Sequence, residues 1–172
     1  NPLFVYDSVK NEALKKEGEG LPSIIISSAA AANAVQLGGG YFNPLTGYMP
    51  KVDALSVATG MQTTSGLFWP VPILNLIEDI GTIKAGERIA LKDPNVEGNP
   101  ILAIMDVEGI EEFTDEEMAL MTDKIFRTDD SSHPGVAAFN SQGKVCLSGP
   151  IQVLNFSYFP TEFPDTFRTA VE

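Results

Sequence analysis

Glu87-Arg88-Ile89-Ala90-Leu91-Lys92-Asp93-Pro94-Asn95-Val96-Glu97-Gly98-Asn99-Pro100-Ile101-Leu102-Ala103-Ile104-Met105-Asp106-Val107 reads as two short apolar strands joined by a polar, turn-rich loop. Glu87 to Lys92 and Pro100 to Val107 carry the apolar runs, and Asp, Pro, Asn and Gly fill the space between, so a hairpin is the economical arrangement. Downstream, Thr114 to Phe126 is the clearest helix in the chain. Thr114 is placed as N-cap with Glu117 at N3, a capping box. Asp115 and Glu116 put negative charge at the positive end of the helix dipole, and Lys124 and Arg127 answer at the other end. Met118, Met121 and Ile125 mark its buried face. A hairpin beside a capped amphipathic helix points to an α+β domain.

The remaining segments fit that class. Leu3 to Tyr6 is a candidate strand, and Asn11 to Gly20 a surface helix or loop. Ile24, Ile25 and Ile26 form a β-branched triplet expected in a buried strand. Ser27 and Ser28 offer N-caps to a helix over Ala29 to Leu37, with Gly38 at its end. Asn43-Pro44 and Thr46-Gly47 mark turns, and Val52 to Thr59 a helix stopped by Gly60. Leu67 to Ile77 reads as a strand whose Pro70 and Pro72 lack N–H groups on the same side, which suits a sheet edge. Asp129 to Gly135 is expected as loop, and Lys144 to Leu147 and Ile151 to Phe156 as two strands around Gly149-Pro150. The expected whole is a small curled sheet or pseudo-barrel with short helices. Phe163-Pro164-Asp165 suggests one more helix start, with Asp165 as N-cap. Its stripe of Phe167, Ala170 and Val171 stops at Glu172. With Asn1 rather than Met at the front, this suggests a piece of a longer protein.

Composition sets limits. At 172 residues the chain buries roughly 70% of its unfolded surface, enough for one core and too little for two large domains. An apolar content of 44% with 20% charged residues is globular. The formal charge of −12, from 23 acidic and 11 basic side chains, disfavours nucleic acid and anionic membranes. It also disfavours a stand-alone polyanionic nucleotide site unless a few cations converge or a metal helps. No run approaches the roughly 18 apolar residues of a membrane span, and no signal peptide opens the chain. The lone Cys146 excludes an internal disulfide and fits a reducing cytoplasm.

Each candidate for chemistry has a plainer structural reading. Gly38-Gly39-Gly40 follows a helix rather than preceding one, so it ends a helix and does not cradle phosphate. Asp93, Asn95, Glu97 and Gly98 imitate the first half of a calcium loop, but position twelve is Ile104. His133 is the only histidine, and His133-Pro134-Gly135 reads as a turn. Cys146, between Val145 and Leu147, reads as an inert core thiol. Glu108, Glu111, Glu112, Asp115, Glu116 and Glu117 are many carboxylates with no pair singled out. Asn155-Phe156-Ser157 is a glycosylation sequon with no secretory signal to use it. Trp69 is expected in packing.

Gly40-Tyr41-Phe42-Asn43-Pro44-Leu45-Thr46-Gly47-Tyr48-Met49 resembles the Gly-x-Phe-x-Pro-Leu-x-Gly-Phe-Met signature of the ATP sulfurylase (sulfate adenylyltransferase) family. The likeness continues in order through Phe68-Trp69-Pro70-Val71-Pro72-Ile73, Arg88 to Pro94, His133-Pro134-Gly135-Val136 and Ser148-Gly149-Pro150-Ile151. Asn95 to Asn99 and Phe163 to Arg168 resemble forms from sulfur-oxidising bacteria. The resemblance implies an N-terminal PUA-like domain over residues 1–160. Residues 161–172 would then begin the connection to a catalytic domain of the same polypeptide. That domain carries a Gln-x-Arg-Asn-Pro-x-His-x-x-His motif in the family. Here the Asn-Pro pairs begin at Asn1, Asn43 and Asn99, the last two preceded by Phe42 and Gly98, and there is no second histidine. No catalytic, substrate-binding or metal-binding residue is therefore carried over. The implied reaction interconverts ATP plus sulfate and adenylyl sulfate plus pyrophosphate. Mg-ATP is expected as a substrate complex of the full-length enzyme and no cofactor in this domain. A cytoplasmic homo-oligomer is expected. The competing reading is a free-standing PUA-like RNA-binding module, which needs a basic stripe. Instead Lys10, Lys15, Lys16, Lys51, Lys84, Lys92, Lys124 and Lys144 are scattered among excess acid. A third reading is a small enzyme in its own right.

Overall fold

The computed structural model describes residues 2–172. The hairpin forms as read: β4 (Arg88–Lys92) and β5 (Ile101–Asp106) pair antiparallel from Arg88 opposite Asp106 to Lys92 opposite Ile101, with a register shift at Leu91/Lys92. Ile89, Leu91, Leu102 and Met105 are wholly buried in the main core. Ala90 and Ile104 belong to a second, smaller cluster with Leu14 of α1 (Ser8–Glu19). β1 (Ser23–Ile25) joins β4 in parallel, and there the isoleucine triplet departs from expectation. β1 is an open edge, so Ile25 is 58% exposed and only Ile26 is deeply buried.

The other half of the sheet hangs on one strand. Lys144 to Leu147 and Ile151 to Phe156 are not two strands; β7 (Val145–Val153) runs unbroken through Gly149-Pro150. Its first half lies between β3 (Leu76–Ile77) and β6 (Gly109–Glu112), and its second half between β2 (Gly47–Tyr48) and β5. Gly149 sits at φ 142 where β7 changes partners. A residue with a Cβ rarely adopts that conformation, and here the Cβ would run into the carbonyl of Asp106. β6 is short and half charged, so periodicity alone does not reveal it.

Leu67 to Ile77 is a strand only at its last two residues, with Phe68 in an isolated bridge to Gln62. Pro70 and Pro72 cannot donate to a ladder. The segment is instead tacked down by single bonds: Trp69 N donates to Met61 O at 3.0 Å, and Ile73 O accepts from Met49 N at 2.9 Å. At the front of the chain, Leu3 to Tyr6 is likewise no regular strand. It is extended and held at Phe4 and Val5 beside Val153.

Helix ends follow side-chain chemistry. Asp7 caps α1 and Ser27 caps α2 (Ser28–Gly39), each accepting the N–H three residues on. α2 ends at Gly40, φ 84, so Gly38 and Gly39 lie inside the helix. There the missing Cβ of Gly38 lets Val153 approach. α3 (Lys51–Gly60) starts at Pro50, which has no capping side chain, and ends at Met61, φ 53, rather than at Gly60. The capping box of α4 (Asp115–Phe126) is complete. α5 (Pro134–Asn140) occupies the end of the expected loop, because Pro134 is a helix N1 residue rather than a turn. The tail also differs: α6 (Phe159–Glu162) precedes Asp165, and no helix starts there. Phe167 packs on Phe156 and Phe159, and Ala170 N donates to Gly39 O, so folding back replaces the expected amphipathic turn.

Gly149→Ala tests the pivot. Strain and a backbone clash together predict a loss of about 2–4 kcal/mol, read as a lower urea midpoint. An unchanged midpoint would remove Gly149 from this role.

Candidate functional site

The acidic residues converge on Lys51, at the start of α3. Its ammonium lies 2.7 Å from Glu117 Oε2 and donates to Glu112 O at 2.9 Å, while its backbone N–H donates to Glu111 Oε2 at 3.0 Å. The same ammonium stands 5.7 Å from the Phe113 ring centre. Glu111 thus supplies the cap that Pro50 cannot. Glu117 also accepts the Thr114 N–H, and Lys144 pairs with Asp115. Hydrogen bonding from Lys51, then from the Thr114 backbone, holds the Glu117 carboxyl below its ordinary range. These acids fasten α3, β6 and α4 to one another. A working pair for acid–base chemistry needs one carboxyl pushed up and another held down. Glu117, already bonded to an ammonium and an N–H, is fitted to hold a helix start.

The other candidates are not brought together. His133 caps α5: its Nδ1 accepts from Gly135 N at 3.1 Å, and its ring lies 5.8 Å from Phe126. Cys146 is fully buried in β7, where its Sγ donates to Met49 O at 3.4 Å. Burial, and secondarily Glu111, pushes that thiol up to about 12, so the reactive thiolate is scarce at neutral pH. Asp93 Oδ1 accepts from Asn95 N, and Asn99 Nδ2 donates to Asp93 O, making a closed hairpin loop. Asn155 spends its amide on Ile101 O and its carbonyl on Ser157 N. Trp69 meets Phe42 edge-on at 5.8 Å. Among the described residues, no group of three or more His, Cys, Asp or Glu side chains is placed to hold a metal. No helix is long and apolar enough to cross a membrane. Sequence reasoning passed over Tyr48, buried and donating to Ala30 O at 2.7 Å, and Lys92, which lines a cavity beside α1.

A family model described as "PUA-like domain" matches residues 1–156. The chain belongs to the PUA-like domain family. It is 60% identical over 171 residues to the sulfate adenylyltransferase of Allochromatium vinosum, covering 99% of this chain and 43% of that one. It is 54% identical over 171 residues to the sulfate adenylyltransferase of the Riftia pachyptila sulfur-oxidizing endosymbiont, covering 99% of this chain and 39% of that one. The chain thus spans about two fifths of these relatives. The solved hexameric APS kinase from Thiobacillus denitrificans superposes with a TM-score of 0.71 at 24% identity, covering all of this chain and 28% of that one. That likeness carries the fold alone. The expected curled α+β sheet is the PUA-like arrangement observed. An RNA-binding role gains no support: Lys15, Lys51, Lys124 and Lys144 are each paired with a carboxylate.

Two outcomes follow from these environments. Cys146 in the folded PUA-like domain resists iodoacetamide at pH 7.5 and reacts after unfolding in urea, as mass spectrometry would read. Rapid labelling of the native domain contradicts the buried thiol. Glu117 has a depressed folded pKa. Its stabilisation is therefore present above the unfolded carboxyl range and is lost as pH falls through the lower folded value. Glu117→Gln should flatten the acid limb of stability against pH. An unaltered slope would break the link to Lys51.

Proposed function

We propose that this PUA-like domain is the N-terminal scaffold of a sulfate adenylyltransferase whose chemistry lies in another domain of the same polypeptide. The observation that carries the reading is the 60% identity to the Allochromatium vinosum enzyme, which extends over 99% of this chain. On this reading residues 161–172 lead toward the catalytic domain, and the full-length protein is a cytoplasmic homo-oligomer.

In the proposed reaction a sulfate oxygen attacks the α-phosphorus of ATP, supplied as its magnesium complex. The α–β phosphoanhydride bond breaks, and pyrophosphate leaves with that electron pair. Two anions must be held in line, which calls for converging cations and N–H donors. The acids around Lys51 are spent on helix ends, so this domain's contribution is a rigid wall beside such a site.

The full-length protein containing this chain should make ATP from adenylyl sulfate and pyrophosphate, read by luciferase, and the 172-residue chain alone should not. An inactive full-length protein in both directions overturns the family reaction. Turnover by the isolated chain overturns the scaffold role.

A further inference from the structure

Arg88 and Lys92 lie on β4, four residues apart, at either end of a strand whose middle is buried, and their surroundings are opposite. Arg88 has opposite charges beside it, although its Nε makes no hydrogen bond. Its Nε stands 3.0 Å from Glu17 Oε1 and 3.9 Å from Asp106 Oδ1, and its Nη2 donates to Gln152 Oε1 at 2.8 Å. Lys92 is only partly exposed, yet among the described residues no carboxylate lies within 4.0 Å of its ammonium. In a chain with 23 acidic side chains, a half-buried lysine left without one is a specific arrangement. The register shift at Leu91/Lys92 places it; a bulge of this kind re-aims the side chain it carries.

Lys92 lines a cavity of about 720 Å³, within the usual range for small-molecule sites. Lys15 of α1 stands in the same wall, with Leu21, Pro100 and Ile101 as apolar surface and Ser157 nearby. One N–H of Lys15 reaches Glu12 at 2.8 Å, leaving two further donors on that ammonium. The Ser157 hydroxyl is buried and has no hydrogen-bond partner. The side chain of Asn155 is committed on both sides, so that part of the wall is preset. Glu19 is the one carboxylate in the lining, facing two ammonium groups. With Glu12 engaged by Lys15, the local charge is balanced rather than strongly negative, and Lys92 is the cation left to meet an anion.

We propose that this cavity binds a small organic anion, a phosphate or carboxylate head held by Lys92 with Lys15, and an apolar body laid against Leu21, Pro100 and Ile101. The head satisfies an ammonium that has no carboxylate partner among the described residues. The body covers apolar surface that the fold leaves in a concavity. A polyanion is disfavoured, because only two cations converge and Glu12 and Glu19 oppose further charge.

The test is a ¹⁵N–¹H titration of the 172-residue chain at constant ionic strength, with phenyl phosphate, inorganic phosphate and benzyl alcohol as separate probes. Phenyl phosphate should give saturable shifts at Lys92, Ile101 and Ser157, with affinity about tenfold above that of inorganic phosphate. Lys92→Met keeps the apolar stem and should lose about tenfold in affinity for phenyl phosphate. Lys15→Met serves in its place if that variant does not fold, and should weaken binding in the same direction. Lys124→Met, on α4, should bind as the unaltered chain does. Absence of saturable shifts, equal binding by both cavity variants, or benzyl alcohol matching phenyl phosphate would each overturn the proposal.

Discussion

A single nine-residue strand that must satisfy its backbone on both edges organises this domain. Buried N–H and C=O groups cost free energy unless paired, and β7 is buried over most of its length. Its first half is closed by β3 and β6, and its second by β2 and β5, so four elements distant in sequence are held at one place. Phe4 adds a parallel contact at Val153, which draws the N-terminal segment in as well. The pivot at Gly149 lets one strand pass from one pair of antiparallel partners to another. The helices then occupy what the sheet leaves: α2 against β7, with Gly38 under Val153, and α1 against the hairpin through Leu14, Ala90 and Ile104.

The parts legible in the sequence are those whose chemistry is local. Thr114 and Glu117 meet across three residues, and their capping box is complete in the structure. Ser27 caps α2 for the same reason, and the β4–β5 hairpin needs only its own loop. The misread parts depend on remote partners. Ile25 is β-branched and apolar, yet whether a further element covers the β1 edge is decided elsewhere, and Ile25 stays exposed. Val145 to Val153 looks divided because Gly149-Pro150 is a local breaker, and only the surrounding strands make it one element. His133-Pro134-Gly135 fits both a turn and a helix start; Gly135, pressed close to the Phe126 ring, favours the helix through packing.

The same distinction governs the candidate sites. Glu111 reads as one acid among many, but in space it caps a helix sixty residues upstream. Lys92 carries no sequence signal at all. What marks it is the lack of a carboxylate neighbour, a property of the fold rather than of spacing. Cys146 was legible as inert because Val145 and Leu147 flank it, and burial raises its pKa. Family identity was legible for a further reason: ordered blocks from Gly40 to Ile151 carry far more information than any one motif.

The net charge of −12 is consistent with an anion-accepting cavity once the acids are placed. Asp7, Asp53, Asp79, Asp93, Glu111, Glu117 and Asp130 each accept a backbone N–H at a helix start or turn. Their number is thus partly the cost of building many short elements with few natural caps. Exposed charges more than about 10 Å apart are largely screened at ordinary ionic strength, so what a ligand meets is the nearest few groups. Around Lys51 those are acids already engaged. Between α1 and the hairpin they are Lys15, already paired with Glu12, and Lys92 against Glu19. An acidic domain can therefore repel a long polyanion over its whole surface and still accept one small anion where a single ammonium is left without a carboxylate partner.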